Sequence, residues 1–462
     1  MEKKVIVTNK SVLSGLYGSK MDTVVIPAIN KLISADKEIR SLETLLIFVD
    51  QLNEKEFNIA KVTDPTDEKQ NKAAIDAVCK KVKPSNVLIL GGPDVIPHQV
   101  LIDPMTDLIQ IINQYYKHYP EDPAFISTDL PYASSSSYSK NISDFITSLD
   151  RVVGRIGFMN DDADMLAKVL NTAAKSKPKK RAVYENYFAF ASKFVSIGLS
   201  KIVLAEKIVD SIIGKIFKTV KYELSPPNNW EDWDKKQVGA MTHLFLCHGY
   251  PYYPYLLGQG DNETYKIALS EESIADRINE GTVVVSSACY AAQLYAKEYY
   301  FTSWNYLTDI TSLIPDQRDP HAVRSGICDA YMKNGADAFL GSTFWGGYIR
   351  IGSLFLQNIL DGYTTGEALL KARHDFIINA GDKFDEEMQA TLAGFILLGD
   401  PSIRPVEEDK SKKKDSPNTT ELLISGAQNI AKSFKVPNPT VLTKNQRQAL
   451  ESRLKLYLGI KK

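Results

Sequence analysis

Two short apolar runs, each ending in a reactive side chain, constrain the fold of this sequence more than any other feature. Residues 242–249 read THLFLCHG and end at His248-Gly249, and residues 282–289 read TVVVSSAC and end at Cys289. Runs of roughly four to eight aliphatic or β-branched residues between turn-forming residues are typical of strands buried on both faces of a parallel sheet. The intervening residues 250–281 have room for a loop and one helix, which predicts a crossover between neighbouring parallel strands.

Such a crossover places His248 and Cys289 at the same edge of the sheet, where ligands of parallel α/β sheets bind. A cysteine attacks a carbonyl carbon as the thiolate, so it needs an imidazole that accepts its proton. The same imidazole can later protonate the leaving amine. The peptide N–H groups of Gly249 and Cys289 are candidate donors to the oxyanion, because both follow the end of a strand. The pattern predicts a Cys289–His248 dyad.

Strand alternation gives the neighbours of His248 other roles. His243 and Cys247 share the face opposite His248. Cys247 is therefore predicted to be a buried, apolar-like residue and His243 a structural one. A zinc site is not favoured, because ligands four residues apart converge on a helix but not on a strand.

The rest of the chain reads as a parallel sheet covered by helices. The Gly91-Gly92 pair lacks the GxGxxG spacing, and neither a GxxxxGK[ST] loop nor a GxSxG elbow occurs, so these nucleotide and serine-hydrolase sites are not predicted. Residues 120–157 are predicted to be rich in loops. The other predicted strands cover residues 4–8, 45–50, 86–90, 182–190, 219–224 and 336–342, and the predicted helices cover residues 69–82, 161–174, 201–217, 323–334, 352–360 and 366–380.

Charge and cysteine content narrow the class of protein. The 462 residues include 55 Lys and Arg against 56 Asp and Glu, so no global field favours nucleic acid or anionic lipid. Four cysteines without a CxxC motif do not form a disulfide framework. No signal peptide and no uncharged apolar run of about 20 residues is apparent. We therefore expect a cytoplasmic protein with reduced thiols and without nucleic-acid partner, membrane segment or cofactor.

The chain is predicted to divide into two subdomains and a tail. Residues 1–157 form an N-terminal subdomain without the dyad, and residues 158–405 form the catalytic one. Residues 406–418 are a charged linker, and residues 419–462 are a helical extension that either packs on the catalytic subdomain or docks a regulatory protein partner. The polar residues 295–320 and the basic residues 410–414 are candidate sites of a regulatory cleavage.

The residues that carry the dyad resemble the signature of clan CD cysteine peptidases: an apolar block, His-Gly, a spacer, a second apolar block and Ala-Cys. Six further stretches resemble the gingipain-type family of that clan. They are VIVTNKSVLSGLYG at residues 5–18, NVLILGGPDVIP at 86–97, STDLPYA with VVGRIG within 127–157, GADAFLGSTFWGG at 335–347 and LLGDPSIRP at 397–405. The resemblance implies a caspase-like, three-layer α/β/α fold with a mostly parallel sheet and two tandem subdomains.

The resemblance also implies endopeptidase activity through a thioester acyl-enzyme, with Cys289 as nucleophile and His248 as general base and acid. Clan members cleave after a chosen P1 residue that is often charged, which implies a pocket of opposite charge. The resemblance favours a basic P1 residue, Arg or Lys, whereas the residues alone leave both signs open; no third catalytic residue is assigned. Candidates for binding a basic P1 are Asp129, Asp316 and Asp319, those for an acidic P1 are Arg318, Arg324 and Arg350, and Trp345 is either a pocket wall or a core aromatic.

Two departures from the family pattern bear on function. Cys247 precedes the histidine where the family often has Gly, and the aromatic residues 250–255 (YPYYPY) follow Gly249 and could cap the site. Known secreted members carry signal and propeptide segments, and neither is evident, which favours a regulated intracellular protease. Two alternatives stay open: a catalytically silent scaffold that binds a partner protein, and transpeptidation or deamidation on the same dyad.

Overall fold

The computed structural model describes residues 1–104, 125–158, 162–196, 202–225, 233–249, 254–259, 265–294, 326–344, 350–381 and 384–408. Several predictions lie outside these residues. They are most of the aromatic run (residues 250–253), the insertion at residues 295–320, the candidate pocket residues Asp316, Arg318, Asp319, Arg324 and Trp345, the candidate cleavage site at 410–414 and the C-terminal extension.

The described residues form sixteen strands and fourteen α-helices. The strands are β1 (Glu2–Thr8), β2 (Leu42–Phe48), β3 (Asn86–Leu90), β4 (Gln99–Ile102), β5 (Phe125–Thr128), β6 (Val152–Ile156), β7 (Tyr187–Ser192), β8 (Phe194–Ser196), β9 (Ile202–Leu204), β10 (Glu223–Ser225), β11 (Thr242–Leu246), β12 (Leu256–Gln259), β13 (Tyr265–Leu269), β14 (Val283–Ser286), β15 (Ala338–Ser342) and β16 (Phe395–Gly399). The helices are α1 (Lys10–Tyr17), α2 (Ile26–Ile39), α3 (Glu54–Phe57), α4 (Glu68–Val82), α5 (Ile142–Ile146), α6 (Ala163–Lys175), α7 (Arg181–Tyr184), α8 (Ala205–Ile216), α9 (Lys235–Val238), α10 (Glu271–Ile274), α11 (Ile327–Lys333), α12 (Arg350–Leu360), α13 (Thr365–Ala380) and α14 (Glu386–Gly394). No helix of this described part is long and apolar enough to cross a membrane.

Ten of the strands form one sheet in the order β10-β7-β11-β14-β15-β16-β6-β3-β1-β2. Every neighbouring pair is parallel except β15 and β16, which are antiparallel. With helices packed on the sheet, this is the predicted three-layer α/β/α fold. Strands β3, β11, β14, β15 and β16 are buried at every position, as expected for strands covered on both faces.

The centre of the sheet was not predicted correctly. Residues 152–156 were placed in a loop-rich region, but they form the buried strand β6. Gly154 allows close packing within this strand: a Cβ there would lie 2.6 Å from the carbonyl oxygen of Gly399 in β16. Strand β16 itself was not predicted. It pairs with β15 on one side and β6 on the other, so the sheet runs without a break across the predicted subdomain seam.

Three further segments also differ from prediction. In its described residues, the crossover between β11 and β14 contains the hairpin β12–β13 and the four-residue helix α10, where one longer helix was predicted. Residues 182–190, predicted to be one strand, contain the end of α7 and the start of β7. Residues 201–217 begin with β9 before helix α8. In each case a short element precedes or replaces the predicted one, and short elements carry little periodicity.

A buried ion network joins the first strand to the last. The Lys4 ammonium is fully buried and donates to Asp36 Oδ2 at 2.8 Å, to Asp400 Oδ2 at 2.5 Å and to Ser402 Oγ at 3.1 Å. Burial alone would raise the pKa of Asp400, but the Lys4 and Arg40 charges outweigh burial and hold that pKa below its usual value. The network therefore fixes β1 to the segment that follows β16.

Replacement of Lys4 by Met is expected to destabilise the fold by about 3–5 kcal/mol, because it leaves two buried carboxylates without their shared cation. Urea unfolding followed by circular dichroism measures this change. The control is Lys20→Met, which removes an exposed ion pair with Asp164 and should leave the urea midpoint nearly unchanged. Equal midpoints for the two variants would show that the buried network does not hold the strands together.

Candidate active site

The carboxyl ends of β11 and β14 meet at one edge of the sheet. The two strands are parallel neighbours, with Phe245 opposite Ser286, and the Ser287 N–H donates to the Phe245 carbonyl at 2.9 Å. Beyond the strands, a Cβ on Gly249 would lie 2.0 Å from the Cys289 carbonyl oxygen. Only a glycine fits this approach, so the backbone of His248-Gly249 lies directly against that of Ala288-Cys289.

Strand β12 holds His248 from the other side. The His248 N–H donates to the Leu257 carbonyl at 2.9 Å, and the Leu257 N–H donates back to the His248 carbonyl at 2.8 Å. The imidazole is half-buried, and its Nε2 lies 3.4 Å from Gln259 Oε1. The sequence analysis did not identify Gln259, because the hairpin that carries it was not predicted.

The chain turns sharply after Cys289. Tyr290 has φ of +57°, a left-handed conformation that is uncommon for a bulky side chain. Its N–H donates to the Phe344 carbonyl at 2.8 Å, and the Ala292 N–H donates to the Ser342 carbonyl at 2.9 Å. These bonds anchor the turn on the end of β15. The Cys289 residue is thereby left half-buried at the sheet edge, whereas Cys79, Cys247 and Cys328 are buried.

The opposite face of β11 is a packed core, as strand alternation predicts. Burial raises the pKa of the Cys247 thiol well above its ordinary value, and the neighbouring Cys289 adds to the shift. His243 lies 2.8 Å from the Tyr331 hydroxyl through Nδ1 and faces the Val238 and Ala240 carbonyls through Nε2. Burial lowers the pKa of His243 to about 4, so this imidazole is neutral at pH 7. Both side chains are structural.

Asp129 does not lie free in a pocket. Its carboxylate is 6% exposed and accepts two hydrogen bonds from the Arg155 guanidinium, at 2.8 and 2.6 Å, while His98 Nδ1 lies 2.8 Å away. Burial alone would raise the pKa of Asp129, but Arg155 and His98 outweigh it and lower the pKa. Both carboxylate oxygens are occupied by Arg155 and His98. This pairing contradicts the predicted contact of Asp129 with a basic substrate side chain. We therefore leave Asp129 out of the proposed pocket.

Two further polar residues have clear positions. Asp50 accepts hydrogen bonds from the backbone N–H groups of Lys10 and Ser11, at 2.8 and 3.0 Å, and so caps the start of α1. This is a structural role in the N-terminal half. Arg350 is exposed at the start of α12.

The N-terminal half is hydrogen-bonded to the segments next to the sheet edge that carries Cys289. Thr343, which directly follows β15, donates from Oγ1 to the Ser127 carbonyl at 2.6 Å. Thr128 donates from its hydroxyl to the Ala393 carbonyl at 2.5 Å. The hairpin of β4 and β5 is thus hydrogen-bonded to the segment that leads from β15 towards residue 345.

The ten-stranded, mostly parallel sheet covered by helices is a caspase-like fold. Residues 4–406 match the sequence profile of Peptidase family C25, so the chain belongs to that family, which is the gingipain family. Membership of this family supports the conclusion that the protein is a cysteine peptidase. In the described residues no group of three or more His, Cys, Asp or Glu side chains is placed to hold a metal ion.

Two solved structures show the same fold. The Arg-specific cysteine proteinase gingipain R aligns with a TM-score of 0.52 and 11% identity over 87% of this chain and 78% of its own. A complex of the Porphyromonas gingivalis RgpB pro- and mature domains aligns with a TM-score of 0.51 and 11% identity over 88% and 80%. At this identity the likeness concerns the fold. No curated protein matches the sequence.

Proposed function

We propose that this protein is a cysteine endopeptidase in which Cys289 is the nucleophile and His248 the proton acceptor and donor. The observation that carries the proposal is the contact between Gly249 and the Cys289 carbonyl, which joins the two strand ends at one edge. A dyad needs its thiol and imidazole on adjoining backbone segments, and this contact supplies them. Membership of family C25 supports the same assignment.

The proposed reaction proceeds through a thioester. His248 accepts the proton of the Cys289 thiol, and the thiolate attacks the scissile carbonyl carbon. The peptide N–H groups of Gly249 and Cys289 donate to the oxyanion. Collapse of the tetrahedral intermediate breaks the C–N bond, and His248 gives its proton to the leaving amine. Water then attacks the thioester, with His248 as base, and releases the acid product and the free thiol.

The proposed specificity is for Arg or Lys at P1. The description of gingipain R as Arg-specific favours a basic residue for this chain. A carboxylate in the pocket would bind the P1 cation, and with Asp129 already paired to Arg155, Asp316 and Asp319 are the remaining candidates, with Trp345 as a pocket wall. An intracellular, regulated role is also part of the proposal and is supported by the four cysteines, which contain no CxxC motif and suit a reducing compartment.

A positional P1 peptide library tests this function. Under reducing conditions, the wild-type protein is expected to cleave after Arg and Lys at least about tenfold faster than after Ala, Asp or Glu, because a cation neutralised in the pocket adds a charge-assisted hydrogen bond. Mass spectrometry of the products locates the cleaved bond. Cleavage after acidic residues would reverse the proposed pocket charge. No cleavage, with peptide still bound, would instead support the scaffold alternative.

A further inference from the structure

The neighbour of the proposed base is an amide, and the hairpin positions it. Gln259 Oε1 lies 3.4 Å from His248 Nε2. Hydrogen bonds of catalytic groups are often long without substrate and shorten in the complex. An amide oxygen accepts hydrogen bonds but does not donate them, so the nitrogen that faces it carries a proton.

Gln259 is held in place through the backbone. Leu257 exchanges both of its backbone hydrogen bonds with His248, which fixes β12 beside the end of β11. Residues two apart on a strand point to the same face of the sheet, so the side chains of Leu257 and Gln259 lie on one face. Leu257 is the residue that pairs with His248. Gln259 also ends the ladder with β13, opposite Tyr265. The backbone that carries the amide therefore has a fixed position beside His248.

We propose that Gln259 is a positioning residue that holds His248 in one tautomer. The proton on Nε2 donates to Gln259 Oε1, which leaves the lone pair of Nδ1 as the acceptor for the Cys289 thiol proton. When His248 becomes charged, the same bond is retained, because both ring nitrogens are then donors. The inference rests on the proposed function, since it assigns a role towards the proposed base.

An amide at this position differs chemically from a carboxylate. A carboxylate beside an imidazole favours the charged ring and raises its pKa. A neutral amide orients the ring without placing a negative charge beside it. The identity of residue 259 therefore sets both the orientation and the basicity of His248.

The test compares Gln259→Met, Gln259→Glu and His248→Ala with the wild type. Gln259→Met preserves the length of the side chain but removes its acceptor, and we expect kcat to fall about tenfold with KM within twofold, as for the loss of one hydrogen bond to a group that becomes charged. The second readout is the rate of Cys289 alkylation by iodoacetamide between pH 5 and 9, which needs no peptide cleavage. Gln259→Glu should retain rapid alkylation and shift the upper limb of its pH profile upward by about one unit. The control is Gln51→Met, the same change at an exposed glutamine of the N-terminal half.

The outcomes separate this inference from the proposed function. If His248→Ala slows Cys289 alkylation at pH 7 but Gln259→Met changes neither alkylation nor kcat by more than twofold, the dyad stands and the role of Gln259 is refuted. If His248→Ala leaves alkylation unchanged, the dyad fails and both proposals fail with it. Unfolding temperatures of all variants identify any that lose the fold. If Gln259→Met is one of them, the pH profile of Cys289 alkylation in Gln259→Glu decides whether Gln259 acts on His248.

Discussion

Cys289→Ala is expected to abolish peptide cleavage, lowering kcat/KM by about 10⁴-fold or more. Removal of the nucleophile from a covalent mechanism leaves only the binding and oxyanion contributions to catalysis. Stability should change little, by about 1 kcal/mol or less, because Cys289 is only half-buried at the sheet edge. Initial rates on an Arg-P1 peptide and a urea titration measure the two effects.

The matched control is Cys79→Ala, which removes a thiol from helix α4 of the N-terminal half. Cys79 is buried, and burial raises the pKa of its thiol to about 11, so it is unreactive at neutral pH. We expect a loss of stability of about 1 kcal/mol from the small cavity and unchanged kcat/KM. Equal rates for Cys289→Ala and Cys79→Ala would contradict the assignment of Cys289 as the nucleophile.

Gly249→Ala is expected to lower kcat/KM by about 100-fold or more and to destabilise the protein by about 1–3 kcal/mol. The added Cβ would lie 2.0 Å from the Cys289 carbonyl oxygen and 3.4 Å from the Ala288 Cβ. A backbone oxygen cannot rotate away as a side chain can, so the two strand ends must separate. A displacement of about 1 Å between reacting groups is enough to cost two orders of magnitude in rate.

Gly15→Ala in helix α1 is the control for Gly249→Ala. Nothing lies within 4 Å of the Cβ that would be added there. The change should leave activity unaltered and stabilise the helix by up to about 1 kcal/mol, because alanine has the higher helix propensity. If Gly249→Ala behaved like Gly15→Ala in rate and in unfolding midpoint, the close approach of the two strand ends would not be needed for activity.

The parts of the fold that could be predicted are those with continuous patterns. Strands β3, β11 and β14 are short, mostly apolar runs, and buried parallel strands have that pattern regardless of what packs on them. Strand β16 follows α14 without a turn-forming boundary other than Gly394, so its sequence does not separate helix from strand. Strand β6 contains Gly154, a residue that is uncommon within strands. A glycine is needed there because its backbone packs against Gly399, 245 residues further along the chain.

The site shows the same limit. His248 and Cys289 could be proposed because each ends an apolar run, which is a local signal. Asp129 was misassigned because its partner Arg155 is known only once β6 is placed. Gln259 was missed because its relation to His248 depends on how hairpin β12–β13 packs against the end of β11. Both contacts join residues from separate elements, so they cannot be predicted before those elements are placed in three dimensions.

Covalent labelling by an arginyl chloromethyl ketone peptide tests whether Cys289 is a nucleophile activated by His248. Attack of the Cys289 thiolate on the methylene carbon forms a thioether and releases chloride, and intact mass with peptide mapping locates the adduct. We expect one adduct per chain, on Cys289, formed at a rate that falls sharply in His248→Ala. An unlabelled wild-type protein, or an adduct on another cysteine, would contradict this role of Cys289.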